Sequence, residues 1–244
     1  MVFKIDINCD MGESLTDLEN GSDEALMPFI SSVNIACGFH AGNEHIMTNT
    51  IKNAQKYGLN IGAHPGFDDK KNFGRVNINL SKEELTECLF YQINVLKTIV
   101  EANGGKLNHV KPHGALYNMA AKNQKIAFTI AKTIYSIDKS LILYGLSGSF
   151  SISEAKAIGL KTKSEVFADR AYLSDGLLCP RNREGAILTN IDNVKSQVKG
   201  IINNGNIETI DHGIIQITAE TICIHSDTPN ALEFAKAIFE LVGS

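Results

Sequence analysis

Short apolar runs recur along the chain, and six of them stop at a cluster of histidine, carboxylate or basic residues. The runs are Phe3–Cys9, Val33–Cys37, Leu59–Ala63, His109–Val110, Ser164–Phe167 and Ile222–Ile224. The clusters that follow are Asp10-Met-Gly-Glu13, Gly38-Phe-His40-Ala-Gly-Asn43, His64-Pro-Gly66, Lys111-Pro-His113-Gly114, Ala168-Asp169-Arg170 and His225-Ser-Asp227. Short apolar runs alternating with longer helical stretches predict a parallel sheet joined by helical crossovers. All six clusters then fall on one rim of the sheet, where α/β folds place their ligands.

Strands are expected near 3–9, 33–37, 59–63, 107–111, 140–144, 161–167 and 221–225. Helix ends are marked by Tyr57-Gly58, Asn103-Gly104-Gly105, Ile158-Gly159 and Asn204-Gly205, since glycine tolerates the left-handed conformation that closes a helix. Ser81-Lys-Glu-Glu84 reads as a capping box for a helix to about Ala102. Asn43 can cap a helix running to Tyr57, and Thr228-Pro229 can open the last one, about 229–242. Functional clusters spread over seven strand–helix units favour a barrel over an open sheet, which gathers its site at one switch point. The expected fold is α/β, a single (β/α)-barrel domain over 1–244, seven-stranded and incomplete. The long connection 171–190 is a candidate lid or interface loop.

Composition narrows the function classes. Net charge is −4 with no run of like charge, so neither nucleic acid nor a membrane surface has an electrostatic footprint here. No apolar stretch approaches the ~20 residues that span a bilayer. Phe3-Lys-Ile-Asp-Ile7 alternates as a strand does, unlike a secretory leader. The five cysteines form no C-x-x-C pair, which suits buried thiols in a reducing cytoplasm.

Within the clusters, period-2 alternation sends Asp6, Asn8 and Asp10 to one side of the first strand, the barrel interior. Polar groups there need each other, water or a ligand; the plainer reading is a solvated surface strand. His40 sits between glycines at a helix entry, where it can meet an anion or make only a local hydrogen bond. His64 ends a strand and is held extended by Pro65. Arg75, beside Gly74, can clamp a carboxylate or phosphate, whereas Asp68 and Asp69 are ordinary loop aspartates. Lys111 and His113 straddle Pro112 at a strand end; such a lysine must lose its charge or pair with a carboxylate, Asp10 or Glu13. Asp169-Arg170 supplies a carboxylate beside a fork of donors, or merely a surface ion pair. Cys37 is a small buried side chain more readily than a nucleophile. Metal ligands can be drawn from Asp10, His40, His64, His113 and His225, without the spacing demanding a metal. Neither Gly145–Ser149 nor Gly159–Ser164 makes a P-loop, and no H-E-x-x-H helix is present.

Six segments resemble the LamB/YcsF family: Asp6–Glu13, Asn34–Gly42, Gly62–Phe67, Val110–Asn118, Phe167–Tyr172 and Ile224–Asp227. The resemblance runs in order along nearly the whole chain. It implies an incomplete barrel similar to glycoside hydrolase/deacetylase barrels, and a helix after Asp175-Gly-Leu-Leu178. It also implies ATP-dependent cleavage of 5-oxo-L-proline to L-glutamate, with ATP as co-substrate and subunits B and C of a 5-oxoprolinase as partners. On that basis Asp10, Glu13, His64, Lys111 and His113 are the catalytic candidates. Asn8, His40, Asn43, Arg75, Asp169, Arg170 and His225 are the substrate-binding candidates. A divalent metal and a homo-oligomer stay open. Two other readings compete: a metal-dependent amidohydrolase or carbohydrate deacetylase, and a non-catalytic binding protein that presents substrate to its partners.

Overall fold

The computed structural model describes residues 5–226 and 230–243. Phe3, Asp227 and the Thr228-Pro229 helix start lie outside the described residues.

Seven parallel strands close into a barrel in the order β1 (Asp6–Met11), β2 (Ser32–Ala36), β3 (Asn60–His64), β4 (Leu107–Val110), β5 (Ile142–Leu146), β6 (Lys161–Phe167) and β9 (Thr221–His225). An eighth barrel strand is missing among the described residues, as expected, yet the ring is complete: β9 pairs with both β6 and β1. Between β6 and β9 the chain makes an antiparallel hairpin, β7 (Asn206–Glu208) with β8 (Ile214–Gln216), which sequence reading missed.

The crossovers are α3 (Glu44–Lys56), α4 (Lys82–Ala102), α5 (Gly114–Lys122), α6 (Gln124–Ile137), α7 (Phe150–Ala157) and α8 (Ile191–Asn204), with α9 (Ala231–Gly243) last. Two short helices, α1 (Leu15–Glu19) and α2 (Ser22–Leu26), connect β1 to β2. The end signals act as read. The Ser81 hydroxyl accepts from Glu84 N while the Glu84 carboxylate accepts from Ser81 N. The Asn43 side chain accepts from Ile46 N.

The strand faces divide the core. Ile7, Cys9 and Met11 join the apolar layer, while Asp6, Asn8 and Asp10 alternate onto the inner face. Barrel interiors are commonly filled by branched apolar residues; this one holds a polar network. At the N-terminal end Asp6 accepts from the Ser32 and Thr221 hydroxyls at 2.6 Å each. Above it the Asn8 amide donates to Glu165 (2.9 Å) and Thr221 (2.7 Å), and the Asn34 amide donates to Asn8 and Asp10. His109 meets the Asn34 carbonyl at 2.7 Å and stacks on Tyr144. Burial pushes its imidazole down to about 3, so it is a neutral strut. Gly62 makes room for it: a Cβ at that position would overlap the His109 ring.

The helix implied after Leu178 does not form there; α8 starts only at Ile191. Instead Gly176, at φ 82°, turns the chain so that Leu173 N bonds Leu177 O. Isolated bridges Tyr172–Leu178 and Arg170–Ile187 then tie the segment flat against the barrel end.

Candidate active site

A cavity of about 360 Å³ opens at the C-terminal ends of the strands, with residues 177–181 forming one wall. Asp10, Glu13, His64, Arg75, Lys111, His113, Arg170 and His225 all line it. The expected rim is therefore one pocket. Four candidates stand elsewhere. Asn8, His40 and Asp169, at 0%, 1% and 1% exposure, are buried behind the lining. Asn43, the cap of α3, faces a separate surface cavity with Cys37, Phe90 and Tyr91.

Lys111 is the electrostatic centre. Its ammonium reaches Asp10 Oδ1 at 2.9 Å, Glu165 Oε1 at 3.0 Å, Cys223 Sγ at 3.0 Å and Asn8 Oδ1 at 3.2 Å. Burial works against its charge, but Asp10, Cys223 and Glu165 hold it well above the usual lysine range. Lys111 is thus a fixed cation whose three N–H bonds are met from within. Glu165 is the second carboxylate on this cation and was missed in the sequence. Lys163, Glu165 and Phe167 share one face by alternation, and that spacing was the available signal.

Asp10 is a carboxylate in this setting. Burial raises its pKa, but His64 and Lys111 outweigh that and hold it well below the ordinary range. Its Oδ2 lies 3.3 Å from His64 Nε2. Glu13 does not reach Lys111, because Gly12 (φ 69°) turns the chain after β1. It instead faces His40 Nε2 at 3.4 Å, His113 Nδ1 at 3.5 Å and His64 Nε2 at 4.0 Å. Burial pushes His40 down, and burial with His64 pushes His113 down to about 3. These four residues form a cluster able to hold a metal ion.

Opposite them, His225 Nδ1 lies 3.0 Å from both Asp169 oxygens. An ionised carboxylate only accepts, so Nδ1 carries a proton, and in the neutral ring the other nitrogen is an acceptor. Phe167 stacks beneath His225. Asp10, Cys223 and His225 are also close together, but Lys111 already supplies a cation to Asp10 and Cys223.

The guanidinium of Arg170 donates to Cys179 O at 2.6 Å and to Ala186 O at 3.3 Å. It pins the 171–190 segment while facing the cavity. Arg75 packs over the Phe73 ring at the mouth. Arg181, which sequence reading did not single out, adds a third arginine. Cys37 is no nucleophile: it is buried, donates to Ile35 O, and burial pushes its thiol up to about 12.

The chemistry can be set beside known proteins. Residues 5–243 match the LamB/YcsF family. The 5-oxoprolinase A subunit of Staphylococcus carnosus is 46% identical over 238 residues, covering 98% of this chain and 94% of that one. The corresponding A subunit of Shouchella clausii is 48% identical over 234 residues, covering 96% and 92%. A crystal structure of a lactam utilization protein from Thermus thermophilus superposes with a TM-score of 0.90 at 38% identity, covering 98% of this chain and 96% of that one. The histidine- and carboxylate-lined barrel end described above thus belongs to a member of the LamB/YcsF family.

Proposed function

We propose that this chain is the A subunit of a cytoplasmic, ATP-dependent 5-oxoprolinase, and that lactam hydration and ring opening occur in its cavity. The observation that carries this reading is the convergence of Asp10, His64, His113 and His225 on one pocket, in a chain so similar to proteins named as the A subunit of 5-oxoprolinase.

A five-membered lactam is a stabilised amide, and its opening near neutral pH needs coupling to ATP. Phosphorylating the amide oxygen makes the ring carbon electrophilic. A water then adds to that carbon and gives up a proton. The C–N bond breaks, and the leaving nitrogen takes a proton to become the amino group. The acyl phosphate left behind is hydrolysed by a second water, giving glutamate and phosphate. The lack of a P-loop motif in the sequence fits phosphoryl transfer that draws on subunits B and C.

Asp10 and His225 present ligating atoms within 4.8 Å of one another, a gap that one water can bridge. In this scheme His225, oriented by Asp169, accepts the proton of the attacking water, and Asp10 aligns that water. Holding a cation, the Glu13–His40–His64–His113 cluster would supply positive charge to the oxygen on which negative charge develops. Arg75, Arg170 and Arg181 receive the substrate carboxylate or the phosphoryl group. Lys111 positions Asp10 rather than touching substrate.

The histidine cluster also favours a second reading, a metal-dependent amidohydrolase or deacetylase. One experiment separates the two. The chain is purified with subunits B and C, and ADP and glutamate are measured with 5-oxoproline while each of the three is omitted in turn. Glutamate formation that needs all three chains and ATP supports the lactam reading. ATP-independent, chelator-sensitive deacetylation by this chain alone overturns it, as does full glutamate formation without this chain.

A further inference from the structure

We propose that Glu13, His40, His64 and His113 form a transition-metal site. His64 Nδ1 lies 2.7 Å from Lys111 O, and His113 Nε2 lies 2.8 Å from Phe73 O. A carbonyl oxygen can only accept, so each of these nitrogens carries its ring's proton. The remaining nitrogens, His64 Nε2 and His113 Nδ1, face each other at 2.9 Å. In neutral rings both are bare lone pairs, and two lone pairs at that distance need a cation between or beside them.

His40 adds an independent observation. It is 1% exposed, and neither ring nitrogen has a hydrogen-bond partner. A buried imidazole with two unsatisfied nitrogens is costly unless something else occupies it. Its Nε2 faces Glu13. All four ligand atoms lie within 4.8 Å of one another. Bonds of about 2.0–2.1 Å in a tetrahedral site put ligand atoms roughly 3.3 Å apart. The 2.9, 3.4 and 3.5 Å separations bracket that value, while His64 Nε2 and Glu13 Oε1, at 4.0 Å, must draw together.

The donor set is three imidazole nitrogens and one carboxylate oxygen. It suits Zn²⁺ or a neighbouring first-row ion over Mg²⁺ or Ca²⁺, which prefer oxygen. The Lys111 and Phe73 carbonyls fix two ring orientations, as second partners of metal-bound histidines commonly do. His40 and His113 stack in parallel, with centroids 3.8 Å apart, so one ion cannot lie in both ring planes. His40, which no hydrogen bond restrains, rotates to complete the site. The assignment needs nothing from the lactam reading, and its test is binding rather than turnover.

The full chain is stripped with a chelator, shown by circular dichroism to be folded, and titrated with Zn²⁺ by calorimetry and with Co²⁺ by visible absorption. The expected result is one ion per chain, a Co²⁺ spectrum of low-symmetry nitrogen and oxygen ligation, and a higher melting temperature with Zn²⁺. His40→Ala and His113→Ala are each expected to weaken binding by about 100-fold, and His225→Ala by less than about 3-fold. Where an alanine variant does not fold, His40→Gln or His113→Gln replaces it. Failure of the folded wild-type chain to bind one equivalent overturns the proposal. Affinity unchanged in folded His40 and His113 variants overturns it equally.

Discussion

Replacing Lys111 with methionine isolates what holds the barrel interior together. The ammonium compensates Asp10 and Glu165, which are 6% and 0% exposed, at 2.9 and 3.0 Å. Methionine keeps most of the side-chain volume, so the dominant effect is two buried carboxylates without their cation. Breaking a buried ion pair from one side costs about 3–5 kcal/mol. In a chain of this size that lowers the melting temperature by roughly 6–20 °C. The pH dependence gives the sharper signature. In the wild-type chain the pKa of Asp10 is depressed, so its contribution to stability is present above its unfolded pKa and fades as pH falls. Without Lys111 the carboxylates bind protons more readily in the folded than in the unfolded state, so stability falls as pH rises above ~4. The stability deficit of Lys111→Met is therefore expected to be larger at pH 8 than at pH 5. Adding Asp10→Asn should recover part of it. Urea unfolding at both pH values measures this. A deficit under ~1 kcal/mol, or one that does not change with pH, refutes Lys111 as the interior counter-ion.

Three further outcomes are expected. Asp23, buried and bonded to Gly12 N, has its pKa raised by burial to about 6. Its ionisation therefore costs folding about 2–3 kcal/mol by pH 7. Asp23→Asn should be more stable than wild type at pH 7, with the difference closing towards pH 4, as urea melts will show. Gly62→Ala should destabilise the fold by about 3 kcal/mol, because the new Cβ meets the His109 ring; Gly58→Ala, which meets nothing nearby, should show no such clash and only the strain of its positive φ. Asp169→Asn should cut glutamate formation by the reconstituted complex by at least about 10-fold, because the orienting partner of His225 Nδ1 is changed; an unaltered rate removes His225 as the base.

The strand ends were legible because a barrel strand finishes at the rim, and chemistry there interrupts an apolar run within a residue or two. That logic found Asp10, His64, Lys111, His113 and His225. It misjudged the length of β1, which continues to Met11: Asp10 lies inside the strand, paired with Asn34 and His225, because this barrel has a polar lumen. The same feature hid Asn34, His109 and Glu165, which sit mid-strand and looked like minor breaks in apolar runs. Alternation was the usable signal, since His109 and Lys111 are two apart, as are Glu165 and Phe167. Asn43 was legible as the cap of α3, but a helix cap and a ligand-binding asparagine have the same local sequence, so its place away from this cavity was not. Arg181 was illegible because its place depends on the path of the 171–190 segment, which side-chain bonds from Arg170 decide.

The most direct test is to reconstitute the three-subunit enzyme with Asp10→Asn in this chain and follow ADP and glutamate in one reaction. If the lactam opens in this cavity, the complex still assembles and glutamate formation falls by about 100-fold or more. Glutamate release at the wild-type rate from an assembled Asp10→Asn complex contradicts that claim.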